Sequence, residues 1–196
     1  MQPERLLKQI EFIKEIDKVK YIKRKTRLLA SDRHENNAEH SWHLGLMALI
    51  LAEHANERVD LLKVLKMVLI HDLVEIDTGD IFLFDTAKNH DNSEEELTAA
   101  RRIFGLLPEN QAQEMIQIWQ EFEAGESKEA RFAKALDRFE PILQNASNNG
   151  GTWAEFKLAF ETVYQKLKGI ANGSKNIWAY SEELLDESRA KGVFGD

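Results

Sequence analysis

The stretch LLKVLKMVLIHDLVEIDTGD, residues 61–80, decides how the fold is read. Its first part, LLKVLKMVLIHDLVEI, is hydrophobic almost all round the helical period, the pattern of a helix at the centre of a protein. The same run carries His71 and Asp72, and Glu75, Asp77 and Asp80 follow within eight positions. A buried carboxylate without a partner costs on the order of several kcal/mol. Either these side chains reach water, or something positive sits among them.

Outward from this helix, nearly every segment shares the helical period and none alternates convincingly at period two, so the fold class is read as all-α, a bundle of about eight helices. PERLLKQIEFIKEIDKV sets Leu6, Leu7, Ile10, Ile13, Ile16 and Val19 on one stripe and predicts a helix over about 4–19. Residues 24–36 have no clean period and read as a loop. Asn36 or Asn37 then caps a helix to about residue 55, and the central helix begins after Asp60. Ser93 with Glu96 forms a capping-box pattern for a helix over about 94–106. Pro108 starts another to about Ala124, and Ser127 starts the helix KEARFAKALDRFEPILQNA. In that helix Pro141 removes the hydrogen bond to the carbonyl of Asp137 and predicts a kink there. SNNGG, residues 147–151, is the clearest linker, and one helix over about 152–168 and a last one follow it. At 196 residues the chain suits a single domain, 1–196, with a core over about 5–145 and C-terminal helices over about 151–190 that cover it.

Composition narrows the function. The net charge is −8 and the basic residues are scattered except in KYIKRKTR, 20–27. No basic face is expected, and so no structural nucleic-acid partner. No apolar run approaches the roughly 20 residues that cross a bilayer. The first twenty residues lack the uninterrupted apolar core of a signal peptide, so a cytoplasmic protein is expected. The chain has no cysteine, which excludes disulfides, thiol nucleophiles and thiolate metal sites.

On a helix, His71 and Glu75 are four residues apart and Asp72 and Glu75 three, so all three project from one side. With 6 His and 11 Asp among 196 residues, chance yields roughly a third of a His-Asp pair. Requiring Glu three positions after the Asp reduces that to about 0.04. His40 in NNAEHSW and Asp137 in AKALDRFEP extend the cluster to three helices. Two imidazoles and two carboxylates form a mixed nitrogen and oxygen set suited to a divalent first-row metal with open positions. Such a cation would also compensate the buried acid.

The ordered set His40, His71-Asp72 and Asp137 resembles the metal-binding signature of the HD-domain phosphohydrolases. The blocks RHENNAEHSW (33–42), HDLVEIDTGD (71–80) and AKALDRFEPIL (133–143) are similar to those of the bacterial 5′-deoxynucleotidases and related small HD-domain proteins. The resemblance covers roughly residues 5–145. It implies that His40, His71, Asp72 and Asp137 hold one divalent metal ion, with Mn, Co, Fe, Ni, Zn and Mg all open. It implies that Glu75 acts on the attacking water or the leaving group, and that Asp80 lies near the substrate sugar. Basic residues ahead of the first ligand would contact phosphate. Arg33 falls inside a matching block, and Arg24, Lys25 and Arg27 stand as alternatives. The two-metal relatives resemble a longer signature with extra histidines before the last Asp, and here His90 alone lies in that interval, so one metal is expected.

The implied activity is removal of the 5′-phosphate from (deoxy)nucleoside 5′-monophosphates, deoxyribonucleotides preferred, by a homodimer. A metal lowers the pKa of bound water toward neutrality, and Glu75 is placed to move the proton. Two alternatives stay open: hydrolysis of nucleotide di- or triphosphates or another small phosphoester on the same site, and a metal- or nucleotide-binding module without turnover. Outside the set, His43 reads as a structural neighbour of His40. His34, His54 and His90 read as surface residues, and Asp77 as a residue that merely ends the helix.

Overall fold

Residues 2–85 and 93–195 are described by the computed structural model, the side chains of Gln2 and Ser93 excepted, so the expectations for His90 and for a Ser93 capping box lie outside the described residues. Helix α1 spans Gln2–Ile16 and passes into a 3-10 turn at Asp17–Tyr21. Strands β1 (Lys23–Arg27) and β2 (His34–Asn36) then form an antiparallel hairpin where a loop was expected. The alternation is present, but it is written in polar residues. Thr26 is buried and Arg24 half-buried between exposed Lys23 and Lys25, a pattern that carries no hydrophobic signal. Lys23 pairs with Asn36 and Arg27 with His34, so β1 has two residues more than β2 between the paired positions.

Asn36 caps α2 (Asn37–Leu51): its side chain accepts from Glu39 N, and the Glu39 side chain accepts from Asn36 N in a full capping box. Asp60 caps α3 (Leu61–Ile70) through Leu62 N and Lys63 N. The expected single helix to residue 76 changes pitch, with a 3-10 turn at His71–Val74 and a short α4 at Glu75–Thr78. Gly79 ends it at φ 74° and ψ 158°, a backbone region open to glycine almost alone. Helices α5 (Ser93–Phe104), α6 (Glu109–Ala124) and α7 (Lys128–Ser147) follow, and Ser127 caps the last through Ala130 N. Pro141 sits inside α7 without ending it.

Beyond the linker, the helix expected over 152–168 divides into α8 (Gly151–Glu155) and α9 (Phe160–Leu167). The break falls at Lys157, whose φ of 50° is left-handed and incompatible with a continuing helix. Short α10 (Ile170–Gly173) and long α11 (Lys175–Ala190) complete the chain. Both pack on α7, and α10 does so closely: a Cβ on Gly173 would lie 2.2 Å from the carbonyl oxygen of Arg131. Helix α7 also meets α2, α3 and α6, which makes it the axis of the bundle. One apolar cluster includes Leu44, Met67, Ile103, Phe132, Leu136 and Ile142 together with Trp153, Val163, Ile170 and Leu185 from beyond the linker. No helix among the described residues is long and apolar enough to cross a membrane.

Candidate metal centre and active site

Three helices and the hairpin converge on one buried group of side chains. The capped first turn of α2 directs Asn37 and His40 inward, and both are completely buried. The 3-10 turn after α3 brings His71 and Asp72 to the same point, while Leu73 and Val74 enter the core. In a 3-10 turn residues i and i+3 eclipse, so Glu75 stands in line with Asp72. Asp137 arrives from the middle of α7.

His40 Nε2 lies 3.1 Å from Asp137 Oδ1, and His71 Nε2 lies 3.1 Å from Asp72 Oδ1 and 3.6 Å from Asp137 Oδ1. The four residues proposed as ligands from sequence are therefore brought together. The His71 ring supplies a test of whether a metal fits. Its Nδ1 sits 3.0 Å from the carbonyl oxygen of Val68, which only accepts, so Nδ1 carries the hydrogen. In the neutral ring Nε2 then presents a lone pair to two carboxylates. Nε2 is buried and has no hydrogen-bond partner. A divalent ion among these atoms turns that confrontation into coordination, and the nitrogen and oxygen donors suit a first-row metal.

Arg24 crosses the group from β1. Its Nη1 donates to Asp72 Oδ2 at 2.8 Å and lies 4.0 Å from Asp80 Oδ1. Burial opposes its charge, but Asp72, Asp80, Asp137 and Glu75 raise its pKa still further above the ordinary value. Asn37 donates to Glu75 Oε2. Burial, then the neighbouring charges of Asp72 and Asp80, push the Glu75 carboxyl well above its usual range. Asp80 is raised by burial and by Asp72 against the opposing pull of Arg24.

Arg24, His71, Asp72, Glu75, Asp80 and Asp137 line a cavity of about 190 Å³, while His40 and Asn37 are not among its lining residues. Lys25, Lys134 and Arg138 also line it, the last two one helical turn apart on α7 and flanking Asp137. An apolar part of the lining comes from Phe82 and Phe84 after Asp80 and from Trp153 and Leu167 of α8 and α9. Phe82 packs against Phe156 with the rings tilted by 36° and their centroids 5.0 Å apart.

The basic residues offered from sequence divide sharply. Arg24 and Lys25 line the cavity, whereas Arg33 and Arg27 are not among its lining residues. Arg33 is exposed, forks onto Glu39 at 2.9 and 3.0 Å, and borders a different groove beside Trp42 and Leu46. Arg27 pairs with Glu155 at 3.0 Å. Hairpin register explains the division, because Arg27 and Arg33 lie toward the loop end and Arg24 near the end that meets the helices. Lys134 and Arg138 were not singled out from sequence, although their places three before and one after Asp137 were a readable signal. Asn36 takes the capping role and frees Asn37 for Glu75. Asp77 has a function of its own in the fold, since Arg102 bridges it to Glu15 and so joins α4, α5 and α1.

Residues 16–178 match the family model described as HD domain, and the chain belongs to that family. The human 5′-deoxynucleotidase HDDC2 is 32% identical over 112 residues, 57% of this chain and 53% of that protein. The chain thus matches about half the length of this curated relative. A solved structure described as a predicted metal-dependent phosphohydrolase from Magnetospirillum magnetotacticum MS-1 superposes with a TM-score of 0.93 at 48% identity, over 98% of this chain and 96% of that one. The PH0347 protein of Pyrococcus horikoshii OT3 shares the fold, with a TM-score of 0.66 at 22% identity over 93% of this chain and 99% of that one.

Proposed function

We propose that this chain is a metal-dependent phosphohydrolase that removes the 5′-phosphate from nucleoside 5′-monophosphates, deoxyribonucleotides preferred. The observation that carries the reading is the lone pair of His71 Nε2, fixed by the Val68 carbonyl and aimed at Asp72 and Asp137, with Glu75 one 3-10 turn beyond. His40, His71, Asp72 and Asp137 would hold one divalent ion. Such an ion supplies Lewis-acid activation of water and of a phosphoryl oxygen.

The chain's own residues supply the remainder. Lys25, Lys134 and Arg138 offer positive charge to the phosphate at the mouth of the cavity. Arg24 offsets the carboxylates around them. Glu75, held by Asn37, takes a proton from the attacking water as its oxygen bonds to phosphorus. The bond from phosphorus to the 5′-oxygen breaks, and that proton completes the leaving hydroxyl. The products are inorganic phosphate and a nucleoside. Asp80, at the join between the charged and apolar walls, is placed for the sugar. The similarity to the human 5′-deoxynucleotidase supports a nucleotide substrate.

Residues 1–196 work as one unit in this proposal, because the cavity walls come from both sides of the 147–151 linker. A homodimer is supported by an apolar face without a cover on α2 and α3, where Trp42, Leu46, Leu49, Ile50 and Leu69 are exposed. The deciding experiment measures phosphate release from a panel of ribo- and deoxyribonucleoside mono-, di- and triphosphates with Mn, Co, Mg, Ni and Zn. Orthophosphate from dAMP and its analogues supports the proposal; pyrophosphate or tripolyphosphate from dATP with monophosphates untouched would replace it.

A further inference from the structure

His40 is held from both edges of its ring. While Nε2 faces Asp137, Nδ1 lies 3.4 Å from Glu140 Oε2 and 3.5 Å from Glu35 Oε2. Glu140 and Glu35 are 0% and 1% exposed, far below what carboxylates ordinarily tolerate. Nδ1 and both Oε2 atoms are buried with no hydrogen-bond partner elsewhere. A hydrogen on Nδ1 is the one donor that serves both oxygens. A lone pair there would set three electron-rich atoms face to face in a space closed to water. Nδ1 therefore carries the hydrogen, and Nε2 keeps its lone pair for the cluster formed with His71, Asp72 and Asp137.

The two acids are themselves braced. His43 Nδ1 lies 3.2 Å from Glu140 Oε1, which also accepts from Gln144, and Arg24 Nε lies 3.8 Å from Glu35 Oε2. We infer that Glu140, assisted by Glu35, is a positioning residue that fixes the tautomer and orientation of His40 and thereby sets how tightly the site holds its metal. The inference rests on the reading of His40 as a ligand. It also separates the two histidines. His71 is oriented by a main-chain carbonyl that no substitution removes, His40 by side chains that substitution can remove. An anionic acceptor, moreover, makes an imidazole a more basic ligand than a neutral carbonyl does.

The test is isothermal titration of the metal-free protein, residues 1–196, with Mn²⁺. Glu140→Gln is expected to weaken binding about 10- to 100-fold. Glu35→Gln weakens binding less. Mn²⁺ affinity within about twofold of the parent in Glu140→Gln overturns the inference. A second bound ion that is lost in His43→Ala overturns it too, since Glu35 and Glu140 would then be ligands in their own right. If Glu140→Gln does not fold, the unaltered ¹⁵N-labelled protein loaded with Zn²⁺ decides the matter. A His40 ring protonated at Nδ1 is expected, and one protonated at Nε2 refutes the inference. A parent protein that takes up no divalent ion at all overturns the functional proposal along with it, whereas parent binding with an unchanged Glu140→Gln overturns this inference alone.

Discussion

Arg24 Nη1 donates to Asp72 Oδ2 at 2.8 Å, so the carboxylate that faces His71 with one oxygen is held by a buried guanidinium at the other. Arg24→Met would strand Asp72, Asp80 and Glu75 without a counter-charge. Breaking a buried pair costs about 3–5 kcal/mol. In a chain of this size that lowers the melting temperature of the metal-free protein by about 6–20 °C. Mn²⁺ restores part of the loss, because the ion neutralises the same carboxylates. A melting curve in chelator that does not move would show that Arg24 is not the counter-charge.

Asp72 and Glu75 stand in line but are given different work. Asp72→Ala is expected to lose both metal content and phosphate release. Glu75→Ala keeps the metal and lowers kcat by about 10²- to 10⁴-fold, the usual contribution of a positioned proton carrier. Elemental analysis beside a phosphate-release assay separates the two outcomes, and equal activity in Glu75→Ala removes its assigned role.

The apolar wall makes a prediction about the nucleoside half of the substrate. Stacking of a base on an aromatic ring contributes about 1–3 kcal/mol. Phe82→Ala and Phe84→Ala are therefore expected to raise KM for dAMP by about fivefold or more, while KM for 2-deoxyribose 5-phosphate, which has no base, stays unchanged. An equal rise for both substrates would point to a general collapse of the cavity instead.

Arg102 forks onto Asp77 at 2.5 and 2.6 Å and reaches Glu15 at 2.8 Å. The network is partly exposed, so its net contribution is about 0–1 kcal/mol and falls with added salt. Arg102→Ala should lower the melting temperature by at most about 4 °C and leave kcat as it was. Hydrogen bonds from Lys18 and Arg102 lower the pKa of Glu15 from its ordinary 4.5. A lowered carboxylate pKa stabilises the fold above the ordinary value, and that stabilisation is lost as pH falls through the folded value. Between pH 7 and pH 3, chemical denaturation should show the gap between parent and Arg102→Ala narrowing on the acid side.

Much of this was readable in the letters. His40 and Asp137 sit on long helices whose period the sequence displays, and His71 and Asp72 follow directly on the end of another. Asn36 and Asn37 were harder to separate, since either can cap, and only the backbone shows that Asn37 turns inward. The hairpin was hidden because its inward residues, Arg24 and Thr26, are polar. The choice between Arg24 and Arg33 depends on hairpin register, which no composition reveals. Lys157 ends a helix in a left-handed conformation that lysine rarely takes, so nothing marked the break. Nothing in the letters separates Glu35 and Glu140 from surface acids, yet both are buried.

The change of pitch at His71 has its own consequence. A 3-10 turn advances about three residues per revolution against about 3.6 in an α-helix. In an unbroken α-helix Asp72 and Glu75 would splay by roughly 60°, whereas here one stands above the other. Asp60 anchors one end of this segment and Gly79 the other, so its angular phase is metered by the number of residues between them. An added or missing residue would rotate His71 and Asp72 out of alignment with α2 and α7 even if every ligand were retained. Residues 61–79 can change their letters more freely than their length.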